Sequence, residues 1–149
     1  MEHTRRKILA LLCAASGAIM LPFRLLAAQW NGTAFDQTRF PDSLKAVGIV
    51  ELVESDRIQL KTPEIAENGA IVPIQVECDI SGTEKIFVFA EKNPQPLVAS
   101  FTFLNGIDAF FATRIKMGES AKVHIVALAG GIHYTTSREV KVTIGGCGE

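Results

Sequence analysis

Ile74-Gln75-Val76-Glu77-Cys78-Asp79-Ile80 alternates apolar and polar residues without interruption. Successive side chains leave a strand on opposite faces, so Ile74, Val76, Cys78 and Ile80 share one face while Gln75, Glu77 and Asp79 share the other. A strand with one apolar and one polar face belongs to an antiparallel sheet that covers a core on one side. Cys78 therefore points inward, where a free thiol behaves as a small hydrophobe and stays chemically inert.

Outward from this stretch, turn residues recur roughly every ten positions. They separate seven expected strands: Arg57–Lys61, Ala70–Ile80, Glu84–Glu91, Leu97–Phe103, Ala109–Lys116, Ala121–Ala129, and Ile132–Ile144 with a break near Ser137. Gly130-Gly131 sits between two β-rich runs and reads as a two-residue hairpin turn. Phe110 and Phe111 are adjacent, so on a strand one of them faces outward. Before the strands, Phe35, Phe40, Leu44 and Val47 recur at near-helical intervals and predict a helix over Asp36–Val47, ended by Gly48. The pattern predicts an all-β chain: an immunoglobulin-like antiparallel β-sandwich with a short N-terminal helix and a flexible Gly-rich C-terminal arm.

The amino end predicts export. Arg5-Arg6-Lys7 precedes an apolar run from Ile8 to Leu21, and small residues follow at Ala27-Ala28; this is the order of a secretory signal. Thr4-Arg5-Arg6-Lys7-Ile8-Leu9 has the form of a twin-arginine signal. A membrane anchor is the alternative, but the run from Ile8 to Leu21 is short for a span, and Pro22 and Arg24 interrupt its continuation. The expected organisation is an export signal over 1–28, a lead and helix over 29–48, a β-sandwich over 49–144 and a carrier arm over 145–149, in the periplasm after cleavage. Cleavage after Ala28 leaves 121 residues, Lys+Arg falls from 15 to 11 and Asp+Glu from 16 to 15, for a formal charge of −4. With no basic cluster, neither nucleic acid nor an anionic membrane is an expected partner. Two cysteines remain, Cys78 and Cys147, too few for a disulfide framework.

Cys147 sits in Gly145-Gly146-Cys147-Gly148-Glu149. Glycine lacks Cβ and packs almost nothing, so this thiol has no core to stabilise. The three residues after Ile144 reach at most about 10 Å when extended, enough to lift the sulfur clear of the body. A Cys78–Cys147 disulfide is the alternative in an oxidising compartment, but a buried strand thiol and a tail thiol seldom meet disulfide geometry. Other motifs are weak. His124 and His133 stand in no metal-ligand spacing and read as surface or strand-edge histidines. The sequence carries no Gly-rich phosphate loop, nucleophile elbow or paired-carboxylate motif, so no cofactor or catalytic residue is expected. Asn31-Gly32-Thr33 matches a glycosylation sequon by chance, and Asn93-Pro94-Gln95-Pro96 reads as a rigid loop.

The chain resembles the SoxY sulfur-carrier family of the thiosulfate-oxidising (Sox) system. The resemblance runs through Pro63–Ala70, Glu91–Pro94, Thr113–Gly118 and Glu139–Gly148, and the last stretch is the most specific. Members of the family carry substrate on the cysteine of a terminal Gly-Gly-Cys-Gly-Gly; Gly145, Gly146, Cys147 and Gly148 match it, and Glu149 replaces the closing glycine. The resemblance implies a heterodimer with a SoxZ-type subunit and covalent carriage of thiosulfate-derived sulfur on Cys147. The implied partners are a c-type cytochrome that loads the sulfur, a hydrolase that releases sulfate and a sulfur dehydrogenase. A non-enzymatic exported interaction module, whose terminal cysteine forms an intermolecular disulfide, is the competing reading.

Glu149 and the terminal carboxylate place negative charge beside Cys147, and no Lys or Arg follows Lys141. Like charge disfavours the thiolate, which is the reactive form. Cys147 is expected to be alkylated no faster in the free protein than in a peptide of the same terminal sequence. A markedly faster rate in the intact protein would show activation within its own fold.

Overall fold

The computed structural model describes residues 31–104 and 106–143. Two sheets pack face to face. The larger holds β1 (Val53–Glu54), β9 (Ile132–Val142), β8 (Ala121–Ala129), β5 (Thr83–Ala90) and β6 (Leu97–Thr102) in that order, with β3 (Ile65–Ala66) also on β9. The smaller has the order β2 (Ile58–Lys61), β4 (Val72–Cys78), β7 (Ala109–Ile115). The pairs are antiparallel except for β1 and β3, two-residue strands that lie parallel to β9 and that the sequence pattern did not predict.

The alternation that defines β4 is realised up to Cys78, where the strand ends two residues short of the expected Ile80, itself buried beyond the strand. Val72, Ile74, Val76 and Cys78 are buried, and Pro73 and Glu77 are exposed. They meet Ile86, Val88, Ala90, Val123, Ile125 and Val140 of the larger sheet in the main core. Pro73 is tolerated in this central strand because β2 pairs with β4 only from Gln75 onward, so no ladder bond is lost on that side. The Thr62 hydroxyl instead donates to the Pro73 carbonyl (3.2 Å).

On β5, five successive residues, Ile86 to Ala90, are buried. Such a run has apolar cover on both faces. Ile86, Val88 and Ala90 enter the main core, while Phe87 and Phe89 enter a second core with Leu97, Val126, Ala34 and Ile49. Two short helices, α1 (Gly32–Phe35) and α2 (Phe40–Ala46), cover this second face. Phe40 meets Phe89 edge-on with ring centroids 5.6 Å apart.

Several expectations need correction. The helix expected over Asp36–Val47 is two helices. Pro41 occupies the first turn of α2, where a missing N–H costs nothing, and Arg39 before it is extended, which starts the helix at Phe40. Gly48 does end it, with φ +81°. The strand expected from Ala70 starts at Val72, because Gly69–Ile71 form a 3₁₀ turn whose Asn68 side chain accepts from Ala70 N–H (2.8 Å). The last strand has no break at Ser137, which pairs with His124 in an unshifted ladder. The Gly130-Gly131 turn is as expected: φ is +57° and +79°, the two positive values a type I′ hairpin requires. Asn31, part of the chance sequon, caps α1 by accepting from Ala34 N–H (3.2 Å). Of the adjacent phenylalanines, Phe111 stacks on Phe101 (centroids 4.0 Å) and Phe110 faces outward, 51% exposed.

The two phenylalanine environments yield a contrast in stability. Phe89→Ala, which empties a fully buried position, is expected to cost about 3–5 kcal/mol in urea unfolding. Phe110→Ala is expected to stay within about 0.5 kcal/mol of the parent chain, as is usual for exposed sites. Equal losses would show that the helical layer contributes no tightly packed core.

Candidate functional site

The residues expected to carry chemistry, Cys147 with Gly145, Gly146, Gly148 and Glu149, lie outside the described residues. The described chain ends at Thr143, four residues before Cys147. Covalent geometry alone keeps the Cys147 Cα within about 14 Å of the Thr143 Cα. The site is therefore built from the elements that hold the end of β9.

Those elements grip β9 from both sides. On one side the β8–β9 ladder runs unshifted from Ala129↔Ile132 to Ala121↔Val140. Past its end Ser120 takes over: its hydroxyl oxygen accepts from Val142 N–H (2.8 Å) and lies 3.4 Å from the Val142 carbonyl. On the other side β3 pairs Ile65 with Lys141 and Ala66 with Val142. Lys141 N–H donates to the Glu64 carbonyl (2.9 Å) and Thr143 N–H to the Ala66 carbonyl (3.1 Å). The Thr143 hydroxyl donates to the Glu67 carbonyl (3.1 Å). Successive strand N–H groups point to alternate sides, so Lys141, Val142 and Thr143 each find an acceptor.

The loops around this end are themselves tied together. Asn93 donates from its side-chain amide to the Lys116 carbonyl (2.7 Å) and accepts from Gly118 N–H (3.0 Å). Met117 N–H donates to the Gly69 carbonyl (2.7 Å). The Asn93–Pro96 loop, read from the sequence as rigid, is thus clasped to the β7–β8 connection that carries Ser120. Beside it a cleft of about 500 Å³ opens between β6 and β7. Val98, Ala99 and Ile115 form its apolar floor, and Arg114 and Lys116 also line it.

The expected surface role of His124 is corrected. Its ring stacks on Phe40 of α2 (centroids 4.6 Å, planes 26° apart), and Nε2 lies 3.4 Å from Glu91 Oε2. The side chain is only 16% exposed. Sequence reasoning missed this because Glu91 lies 33 positions away and meets His124 only through the β5–β8 pairing. Burial holds the His124 pKa below its ordinary value, and the hydrogen bond to Glu91 opposes that shift.

Cys78 is buried and free, as expected. Its Sγ lies 3.4 Å from Thr83 Oγ1. The Thr83 hydroxyl donates to the Ile80 carbonyl (2.7 Å), which leaves the Cys78 S–H as donor in that contact. Among the described residues, no group of three or more His, Cys, Asp or Glu is placed to hold a metal ion.

Two packed β-sheets, with the end of the last strand held from both sides, define a β-sandwich protein. A sequence model of the family described as sulfur oxidation protein SoxY matches residues 44–147. Among solved structures, the sulfur carrier protein SoxY from Chlorobium limicola f thiosulfatophilum is 41% identical, with a TM-score of 0.65. That alignment covers 71% of this chain and 97% of the Chlorobium chain. The chain belongs to the SoxY family. The superoxide reductase (neelaredoxin) of Ignicoccus hospitalis is 14% identical over 61% of this chain and 94% of its own, with a TM-score of 0.46, a likeness too loose to carry an argument. None of the curated proteins matches the chain.

The buried imidazole sets a pH dependence. The folded pKa of His124 is lowered from 6.5, so the unfolded chain takes up a proton at a pH where the folded chain still resists it. This contribution to stability is complete above the unfolded pKa and is lost as pH falls through it toward the folded pKa. NMR titration is expected to place His124 below 6.5 and to move it lower still in Glu91→Gln. A His124 pKa above the ordinary value, or a rise in the Glu91 variant, would contradict the burial argument.

Proposed function

We propose that the protein is an exported, periplasmic sulfur carrier that holds thiosulfate-derived sulfur on Cys147 and presents it to partner enzymes. Gly145, Gly146, Gly148 and Glu149 form the arm around that thiol. The observation that carries this reading is that the family match extends through residue 147 and so takes in Gly145-Gly146-Cys147. The solved SoxY that is 41% identical is itself described as a sulfur carrier protein.

The chemistry required of Cys147 is modest. In loading, the thiol joins the outer sulfur of thiosulfate to give a cysteine S-thiosulfonate, one proton and two electrons, with a c-type cytochrome as electron acceptor. In the next step, water displaces the terminal sulfonate as sulfate with release of a proton, leaving a persulfide on Cys147; a hydrolase performs this step. A sulfur dehydrogenase then takes the outer sulfur of the persulfide to a sulfonate, three waters supplying the oxygens while seven protons and six electrons leave, the electrons passing through the dehydrogenase to a cytochrome acceptor. The sulfur–sulfur bonds that persist between steps are of the kind that thiolates make and break readily. Every oxidation and hydrolysis takes place in a partner, so the chain is a covalent carrier and not an enzyme. A SoxZ-type subunit completes the heterodimer.

Glycines on both sides of Cys147 suit passage through narrow sites because no side chain enlarges the backbone there. Glu149 adds bulk and charge where the family has glycine.

Intact-mass analysis of the protein incubated with thiosulfate and the loading cytochrome is expected to show an adduct on Cys147. Cys147→Ser abolishes it, and Cys78→Ser leaves it unchanged. No adduct in the presence of competent partners would sink the carrier reading. A stoichiometric covalent dimer on non-reducing electrophoresis, lost in Cys147→Ser, would favour the interaction module instead.

A further inference from the structure

Strand β3 is two residues long and pairs only with β9. Ile65 is 59% exposed, and of the pair only Ala66 reaches the core. So small a strand adds little to the sandwich, yet its backbone pairs with the last residues of β9. Ser120 is placed to the same effect on the opposite side. Its hydroxyl replaces a backbone acceptor where the β8–β9 ladder has ended. Thr143, the last described residue, adds a side-chain bond to Glu67 on the β3 side.

We infer that β3, Ser120 and Thr143 form a collar that fixes where the carrier arm leaves the body, and that Ser120 and Thr143 are positioning residues for sulfur delivery. The inference rests on the carrier reading of Cys147. With the collar closed, the sphere within covalent reach of the Cys147 Cα has a radius of about 14 Å around the Thr143 Cα. With the collar open, the last firm anchor is Val140, in the β8 ladder. Cys147 is then seven residues from its anchor, and the sphere within its covalent reach has a radius of about 24 Å. The ratio of the two volumes is about fivefold, and the effective concentration of the thiol at a docked partner's entrance falls by a similar factor. The collar thereby limits how far the thiol can stand from the end of β9. It acts on delivery and leaves the intrinsic reactivity of the thiol unchanged.

The two hydroxyls can be removed with little change of shape. In Ser120→Ala/Thr143→Val the end of β9 keeps only the backbone bonds of the two-residue β3. Amide hydrogen exchange at Val142 and Thr143 is expected to accelerate about tenfold or more, since each lost bond is worth a several-fold change in opening. Alkylation of Cys147 by iodoacetamide should stay unchanged. The kcat/KM of the sulfate-releasing hydrolase on the loaded carrier should fall measurably, through KM, with the roughly fivefold loss of a fully open collar as the upper limit. Ser120→Thr, which keeps the hydroxyl, should behave as the parent chain. Inserting Gly-Gly between Ile144 and Gly145 lengthens the arm and leaves the collar intact. It should reproduce the loss in kcat/KM without altering exchange at Val142.

Unchanged exchange in the double variant would show that the hydroxyls do not hold the exit. Faster exchange with unchanged kcat/KM would show that the collar does not govern delivery; either result overturns the inference. Absence of any adduct on Cys147 of the parent chain is a separate failure. It removes the carrier reading, and with it the positioning role, whatever the exchange data show.

Discussion

The structure depends on one constraint: the centre of the larger sheet is buried on both faces. Ile86 to Ala90 of β5 alternate between two cores, and Val123, Ile125, Val126 and Ala127 of β8 do the same beside them. An apolar sheet face left in water forfeits the main favourable contribution to folding, roughly 25 cal/mol for each Å² of apolar surface. The smaller sheet covers one face. Helices α1 and α2 must cover the other, so the segment before the sandwich is part of its packing.

From that centre the geometry passes outward to the exit of the arm. The β5–β8 pair fixes β8, and the Gly130-Gly131 turn fixes β9 against β8. A slip of one residue would turn every side chain of β9 to the opposite face, and Val140 would leave the main core. The register is therefore set at the hairpin end and read out at the far end, at Val142 and Thr143. Two glycines at one end of the hairpin thus determine where Ser120 and β3 meet the chain at the other.

Polar groups near this end are held by local bonds between loops. Asn93 clasps the β7–β8 connection, and Ser120 extends that connection to β9. His124 and Glu91 lie on the helix-covered face, where Phe40 shields the imidazole. Much of this was invisible in the sequence for a common reason. The hydrogen bonds join residues 22 to 33 positions apart and Phe40 lies further still from His124, whereas period-based reading sees only near neighbours along one element. The helix boundary was missed for a different reason: Pro41 acts through one local conformation that the spacing of Phe35, Phe40 and Leu44 overrides on paper.

Alternation in Ile74–Ile80 was enough to decide the class of fold and to place Cys78 in the core, because strand period and burial are locally coupled. Gly130-Gly131 was enough to join β8 to β9, since few residue pairs accept two positive φ values. The Gly-Gly-Cys-Gly of residues 145–148 reads as a thiol with no core to serve, and it lies outside the described residues. Tertiary structure alone decided that α1 and α2 seal the larger sheet and that His124 is shielded beneath Phe40. It also decided that β3 and Ser120 grip the end of β9. Those outcomes depend on which surfaces remain uncovered once the sheets have formed, and a sequence does not state that until its distant parts are brought together.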